Sequence, residues 1–157
     1  MLTRSLFMAA GVCLFAVPVQ ADATSAARKA IQADFAQMDA AQRRKDFLAP
    51  LAFNAPGYVA TTLTGNKLTT KDYREAIPVL QARTKSITMQ KVKTTITSFT
   101  LQGNTATVTV SQETQISIPV NDHTQISRDV ITRKTIWKKH GNQWLMERSF
   151  QLSDSPS

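Results

Sequence analysis

The sequence predicts an α+β domain in which a curved antiparallel sheet wraps around N-terminal helices. Three observations point there. A stretch rich in alanine and free of Gly and Pro runs from Ser25 to Lys45, four long β-prone runs fill the C-terminal half, and threonine accounts for 20 of the 157 residues. Threonine is β-branched, which favours strands over helices. A length of 157 residues with 42% hydrophobic and 19% charged residues suits one globular domain and excludes collagen-like, low-complexity and wholly disordered chains.

Residues 1–21 read as a secretory signal peptide, and residues 22–157 as the single domain. Arg4 supplies a positive start, Leu6 to Val19 is an apolar run of 14 residues, and Val19-Gln20-Ala21 has small residues at the cleavage spacing. A spanning helix needs roughly 20 apolar residues, so the mature form is expected to hold no integral membrane segment. Val12 before Cys13 does not suit lipidation. Cleavage would remove the chain's one cysteine, leaving neither a disulfide nor a thiolate site, and the expected location is periplasmic or secreted. The mature chain keeps 18 Lys and Arg against 11 Asp and Glu, a net charge of +7. Export and the scatter of the basic residues argue against nucleic acid as a partner and for a soluble basic surface.

The first helix carries Ala27, Ile31, Phe35, Met38 and Gln42 at spacings of three and four, with Thr24 or Ser25 as its cap and Arg43 to Lys45 at its C-terminal end. Phe47 to Phe53, broken by Pro50, predicts a second short helix or turn. Tyr58 to Leu63 and the Gly65-Asn66 turn predict a small hairpin ending at Leu68. Thr69 and Asp72 form a capping-box pattern that starts a further helix, with Tyr73, Ile77 and Leu80 on its inner stripe and a kink at Pro78.

Four long strands follow, Ile87 to Leu101, Thr105 to Ile118, Thr124 to Lys139 and Trp144 to Leu152, joined by short links that make neighbours antiparallel. Fifteen extended residues would span about 50 Å, while a compact chain of this size has a radius of gyration near 14 Å. The strands must therefore bend. Apolar parity shifts between Met89 and Val92 and again between Ile96 and Phe99, which predicts bulges at both places.

Alternation puts Ala106, Val108, Val110, Gln112, Thr114, Ile116 and Ile118 on one face of the second long strand. Gln112 and Thr114 are polar exceptions, which fits either a cavity or a strand end that leaves the core. In the last strand Arg148 shares a parity with Trp144, Met146, Phe150 and Leu152. A guanidinium there requires an acidic ligand or an internal carboxylate, for which Asp34, Asp39, Asp46 and Asp129 are the candidates. The third long strand offers two inner sets, and the odd one would add Arg133, Thr135 and Trp137 to the same opening.

Metal binding has only His123 and His140, in different loops, and no metal site or cofactor is expected. Asp122-His123 lacks a nucleophile elbow, and no glycine loop exists to cradle a phosphate.

The chain resembles the nuclear transport factor 2-like superfamily, in particular its SnoaL-like and ketosteroid-isomerase-like branches. The resemblance rests on the element order, on Lys45-Asp46-Phe47, Tyr58-Val59 and Leu68 to Tyr73, and on the terminal pattern Arg133-Lys134-Thr135-Ile136-Trp137 through Gln143-Trp144-Leu145-Met146. It implies a cone-shaped, cystatin-like roll with a pocket between sheet and helices, commonly dimeric through the sheet. Members include isomerases, cyclases and dehydratases as well as binding and assembly domains. In the isomerase branch a tyrosine and carboxylic acids handle an enolate. Tyr58 does not match that motif securely, and no carboxylates pair on the inward parities of the long strands.

These readings favour an exported, non-catalytic or weakly catalytic domain that binds a small, partly apolar molecule able to carry an anionic group. Arg148 would anchor an acid group, Gln112 and Thr114 would hydrogen-bond, and Trp137 and Tyr58 would form aromatic wall. The alternatives are an isomerase, cyclase or dehydratase that abstracts a proton next to a carbonyl, and an interaction or dimerisation module. A homodimer is the expected assembly.

Overall fold

The computed structural model describes residues 17–156. Of the expected signal peptide, residues 1–16 lie outside the described residues, and helix α1 (Val17–Arg43) continues through Ala21 without a break. A 3₁₀ helix (Ala49–Phe53), strands β1 (Asn54–Thr61) and β2 (Lys67–Thr69), and helix α2 (Thr70–Thr84) follow. The long strands are β3 (Thr88–Gln102), β4 (Thr105–Val120), β5 (His123–His140) and β6 (Gln143–Pro156). The element order is the expected one.

The six strands form one unclosed sheet in the order β2-β1-β6-β5-β4-β3. Two-residue turns force the long strands to be antiparallel. β1 is not bound by such a turn, and it lies parallel to β6, so the sheet is mixed rather than wholly antiparallel. In β3 the ladder with β4 slips at Gln90 and at Thr97, the two places where apolar parity shifts. In β6 the ladder with β5 slips at Glu147 and at Leu152. Each extra residue bends its strand and turns the next side chain to the other face.

The concave face holds the core. Ile31 and Phe35 of α1 pack against Trp137, Val108 and Val110, with the rings of Phe35 and Trp137 edge to face at 5.2 Å. Trp137 is fully buried and donates its indole N–H to Thr135 Oγ1 at 2.9 Å, and Thr135 in turn donates to the carbonyl of Val108 at 3.2 Å. α1 ends with the amide of Asp46 bonded to Ala41 O and Lys45 at φ 61°, a left-handed position that glycine usually fills.

Because the sheet does not close, β3 is an edge strand, and its outward backbone groups need partners. Side chains of α1 supply them. Arg28 donates to Ile96 O, Arg43 donates to Val92 O, and Gln32 both donates to Thr94 O and accepts from Ile96 N. Asp39, a buried residue, accepts from Thr94 N at 2.6 Å through Oδ2 and from the Thr94 hydroxyl at 2.7 Å through Oδ1. The helix thus replaces a seventh strand along the middle of β3.

Asp39→Ala should therefore cost about 3 kcal/mol, the scale for stranding buried partners of a charged group. Urea denaturation would show it. A Thr94→Val background should recover part of that loss, and additive effects of the two changes would mean that the contact is not shared.

Candidate functional site

A cavity of about 220 Å³ opens between the concave face of the sheet, the C-terminal half of α1, the 3₁₀ helix and α2. Its apolar lining comes from Phe35 and Met38 of α1, Phe47, Pro50 and Leu51, Ile77 and Leu80 of α2, and Val110 and Met146 of the sheet. The polar lining comes from Asp39 and Gln42 of α1, Asn54 and Tyr58 of β1, Tyr73 of α2, and Thr94, Gln112, Arg133, Thr135 and Ser149 of the long strands, and Asp39, Thr94, Gln112 and Arg133 form a hydrogen-bonded chain. Apolar walls with a few convergent polar groups are the usual make-up of a small-molecule site.

Gln112 is the centre of the chain. Its Nε2 lies within hydrogen-bond distance of Asp39 Oδ1 at 3.3 Å, Thr94 Oγ1 at 3.1 Å and Gln42 Oε1 at 3.3 Å, while its Oε1 accepts from Arg133 Nη1 at 3.2 Å. The arrangement fixes which end of the amide faces the carboxylate and which the guanidinium. Every buried side-chain polar atom among the described residues has a partner. The guanidinium of Arg133 has no carboxylate within 4 Å: the ion pairs among the described residues are Lys71–Glu75, Lys91–Glu113 and Lys138–Glu147, all outside the cavity.

Both tyrosines of the chain line the cavity, with ring centroids 6.4 Å apart. Burial raises the Tyr58 hydroxyl from about 10 to about 12, and Tyr73 adds to the rise; Ser149 and the positive charge of Arg133 work against it. Burial also raises Tyr73, again opposed by Arg133. Both phenols therefore stay neutral at physiological pH and can donate or accept hydrogen bonds.

α2 roofs the cavity without being sunk into the core, as none of its residues is buried. The capping box holds its first turn: Thr69 N donates to Asp72 Oδ2 at 2.7 Å, and Asp72 N donates to Thr69 Oγ1 at 3.3 Å. The Thr69 hydroxyl, which donates to Asp72 Oδ2 at 2.7 Å, and then the Thr69 amide hold the Asp72 carboxyl below its ordinary range. Asn54 Nδ2 donates to Thr70 Oγ1 at 3.2 Å, tying the helix to β1.

Of the residues singled out in the sequence, Tyr58 and Gln112 line the cavity. Thr114 lies one step beyond, half-buried where β4 leaves the core, and is not among the lining residues. Trp137 is packed beneath the cavity floor against Phe35 rather than forming its wall. Arg148 requires a correction. The bulge at Glu147 pairs Arg148 with Ile136 rather than with the Trp137 side of β5, so Arg148 is exposed on the convex face while Ser149 turns inward. None of the four aspartates proposed as its partner forms an ion pair among the described residues.

The odd parity of β5 is the inner one, which brings Arg133 and Thr135 to the cavity. Asp39 was not singled out as a site residue, yet the spacing Ile31, Phe35, Asp39 at intervals of four places it on the buried stripe. A second hollow, bounded by α1, the 3₁₀ helix and the turn before β6, has Asp34 as its only charged lining residue.

Neither a protein-family model nor a curated protein sequence matches the chain. Solved structures do. A conserved protein from Planctomyces limnophilus superposes with a TM-score of 0.68 at 13% identity, over 85% of this chain and 99% of the other. A nuclear transport factor 2-like protein of unknown function from Prochlorococcus marinus gives 0.60 at 16% identity, over 82% and 93%. A nuclear transport factor 2-like protein with a cystatin-like fold from Novosphingobium aromaticivorans gives 0.61 at 12% identity, over 90% of each chain. The class defined by these likenesses is an α+β cone with a curved sheet. The chain has the nuclear transport factor 2-like, cystatin-like fold.

Two measurements check the site. Because the Tyr58 hydroxyl sits at about 12 when folded and near 10 when unfolded, the neutral phenol's contribution to stability is complete below pH 10 and is lost as pH rises to 12. Tyr58→Phe should therefore flatten the fall in unfolding free energy between pH 10 and 12, and an identical slope in both proteins would refute the buried-phenol assignment. Thr69→Ala should speed amide exchange in the first turn of α2 about fivefold, the effect of losing roughly 1 kcal/mol of capping, while leaving β4 and β5 protected.

Proposed function

We propose that the domain is an exported receptor which holds a small, partly apolar molecule in the cavity under α2 without chemically changing it. The cavity itself carries the reading: nine apolar residues line it together with a hydrogen-bonded polar cluster, and α2, none of whose residues is buried, covers it. A volume of about 220 Å³ is below the range of about 300–1,000 Å³ for drug-sized ligands, which points to a compact molecule. The terminal pattern from Arg133 to Met146 favours the SnoaL-like branch. The signal-like leader supports periplasmic or secreted placement, and the outer face of the sheet, where Ile126 and Leu152 are exposed, is the surface we propose for a homodimer.

The enzymatic reading has one observation in its favour, since Asp39 brings a carboxylate to the cavity as proton abstraction requires. Both oxygens of that carboxylate already accept hydrogen bonds, from the Thr94 amide through Oδ2 and from the Thr94 hydroxyl and Gln112 through Oδ1. A carboxylate whose oxygens are both committed in this way holds structure rather than meeting a substrate, so binding is the better account.

A methyl NMR titration with hexanol tests it. The expected outcome is shift changes at Met38, Ile77, Leu80 and Met146, which line the cavity, with Ile126 and Leu152 on the outside unmoved. Shifts confined to the outer pair would sink the receptor reading.

A further inference from the structure

Resting on that reading, we infer that the ligand is a small monocarboxylic acid with an apolar tail, and that Arg133 together with the hydroxyls of Tyr58 and Tyr73 receives its carboxylate. The cavity has one cation, and its guanidinium is unbalanced: it makes a single side-chain hydrogen bond, to the neutral Oε1 of Gln112, and no ion pair among the described residues. A guanidinium carries five N–H donors in a planar fork suited to a carboxylate, and it stays charged at every accessible pH. Most of those donors are uncommitted here.

The surroundings select the anion's type. Asp39 is the one acid in the lining, and its oxygens are held by Thr94 and Gln112, turned away from any role as counter-ion to Arg133. Gln112 lies between the two charges, presenting its carbonyl to the cation and its amide to the anion, so the guanidinium is not neutralised from behind. The phenols of Tyr58 and Tyr73, their rings 6.4 Å apart, line the same cavity as Arg133 and can donate to a second oxygen. One cation and two neutral donors match a singly charged, planar group; a dianionic phosphate would be left half-compensated in a partly apolar cavity. The apolar part of the lining, with Met38, Leu51, Ile77, Leu80 and Met146, is suited to a short hydrocarbon tail. At roughly 30 Å³ per water, the cavity has the space of about seven waters, which a six-carbon acid fills.

The test is calorimetric titration of the full chain with hexanoate, hexanol, hexylamine and hexyl phosphate, each against wild type, Arg133→Gln and Arg148→Gln. Hexanoate should bind wild type at least tenfold more tightly than the other three. Arg133→Gln should lose that advantage while keeping hexanol affinity, and Arg148→Gln should match wild type. Tighter binding of hexylamine or hexyl phosphate, or hexanoate affinity that survives Arg133→Gln, would overturn the carboxylate assignment while leaving the receptor intact. Binding of none of the four would overturn the receptor reading itself. Should Arg133→Gln fold poorly, proton contacts from bound hexanoate in wild type decide: its carboxyl-end methylene should lie against the Tyr58 and Tyr73 rings, and contact with Leu51 and Leu80 instead would refute the orientation.

Discussion

The architecture depends on how one exposed edge of hydrogen-bonding backbone is closed. A strand of 15 residues at the border of an open sheet would present a row of unpaired amides and carbonyls. The short β2, with 3 residues, limits that liability at the other border. On β3 the remedy is α1, whose side chains at positions 28, 32, 39 and 43 reach the strand between Val92 and Ile96. From Arg28 to Arg43 a helix rises roughly 22 Å, whereas the strand from Val92 to Ile96 covers about 13 Å. Long arginines at both ends span the difference, and the shorter Gln32 and Asp39 reach Thr94 between them. This contact sets where α1 lies across the sheet, and so sets the floor and one wall of the cavity.

Much of that fold can be read from residue order because the relevant signals are local. The bends in β3 are visible in the sequence, since a bulge in a half-buried strand must shift apolar parity, and Met89 to Val92 and Ile96 to Phe99 do so. The bulge at Glu147 is hidden for the opposite reason. Trp144, Met146, Phe150 and Leu152 alternate without a break, yet after the slip Leu152 is 52% exposed and the small Ser149 fills the inner position. The sheet is thinly covered toward its far end, so apolar residues there are tolerated outside and the pattern loses its meaning. For this reason Arg148 looked inward and Arg133, one strand away, proved to be the cavity's cation. Asp39 is a different case: its spacing matched the stripe, but its partner Thr94 is 55 residues away, and nothing local reveals the bond.

The roof and the wall of the cavity differ in mechanical character. The sheet side is a continuous ladder joined to α1 through buried hydrogen bonds. α2 has a capped first turn, a proline at position 78 and no buried side chain, with Tyr73 and Ile77 only half-buried. Segments with little buried apolar area open at lower free energy than the core around them. Opening of α2 would therefore widen the cavity while the polar cluster held by α1 and the sheet stays assembled.

The same cluster explains why a hollow persists where apolar side chains could otherwise collapse. Closing the gap would press the aliphatic wall against Asp39, Gln112 and Arg133, separating them from one another or from the open space that now screens the guanidinium. An unpaired buried charge costs far more than the apolar area regained by filling a cavity of about 220 Å³. The polar side is fixed because its hydrogen bonds also seal the β3 edge through Thr94. Edge protection and an open, charged cavity are therefore consequences of one set of contacts, and a change that loosens one must loosen the other.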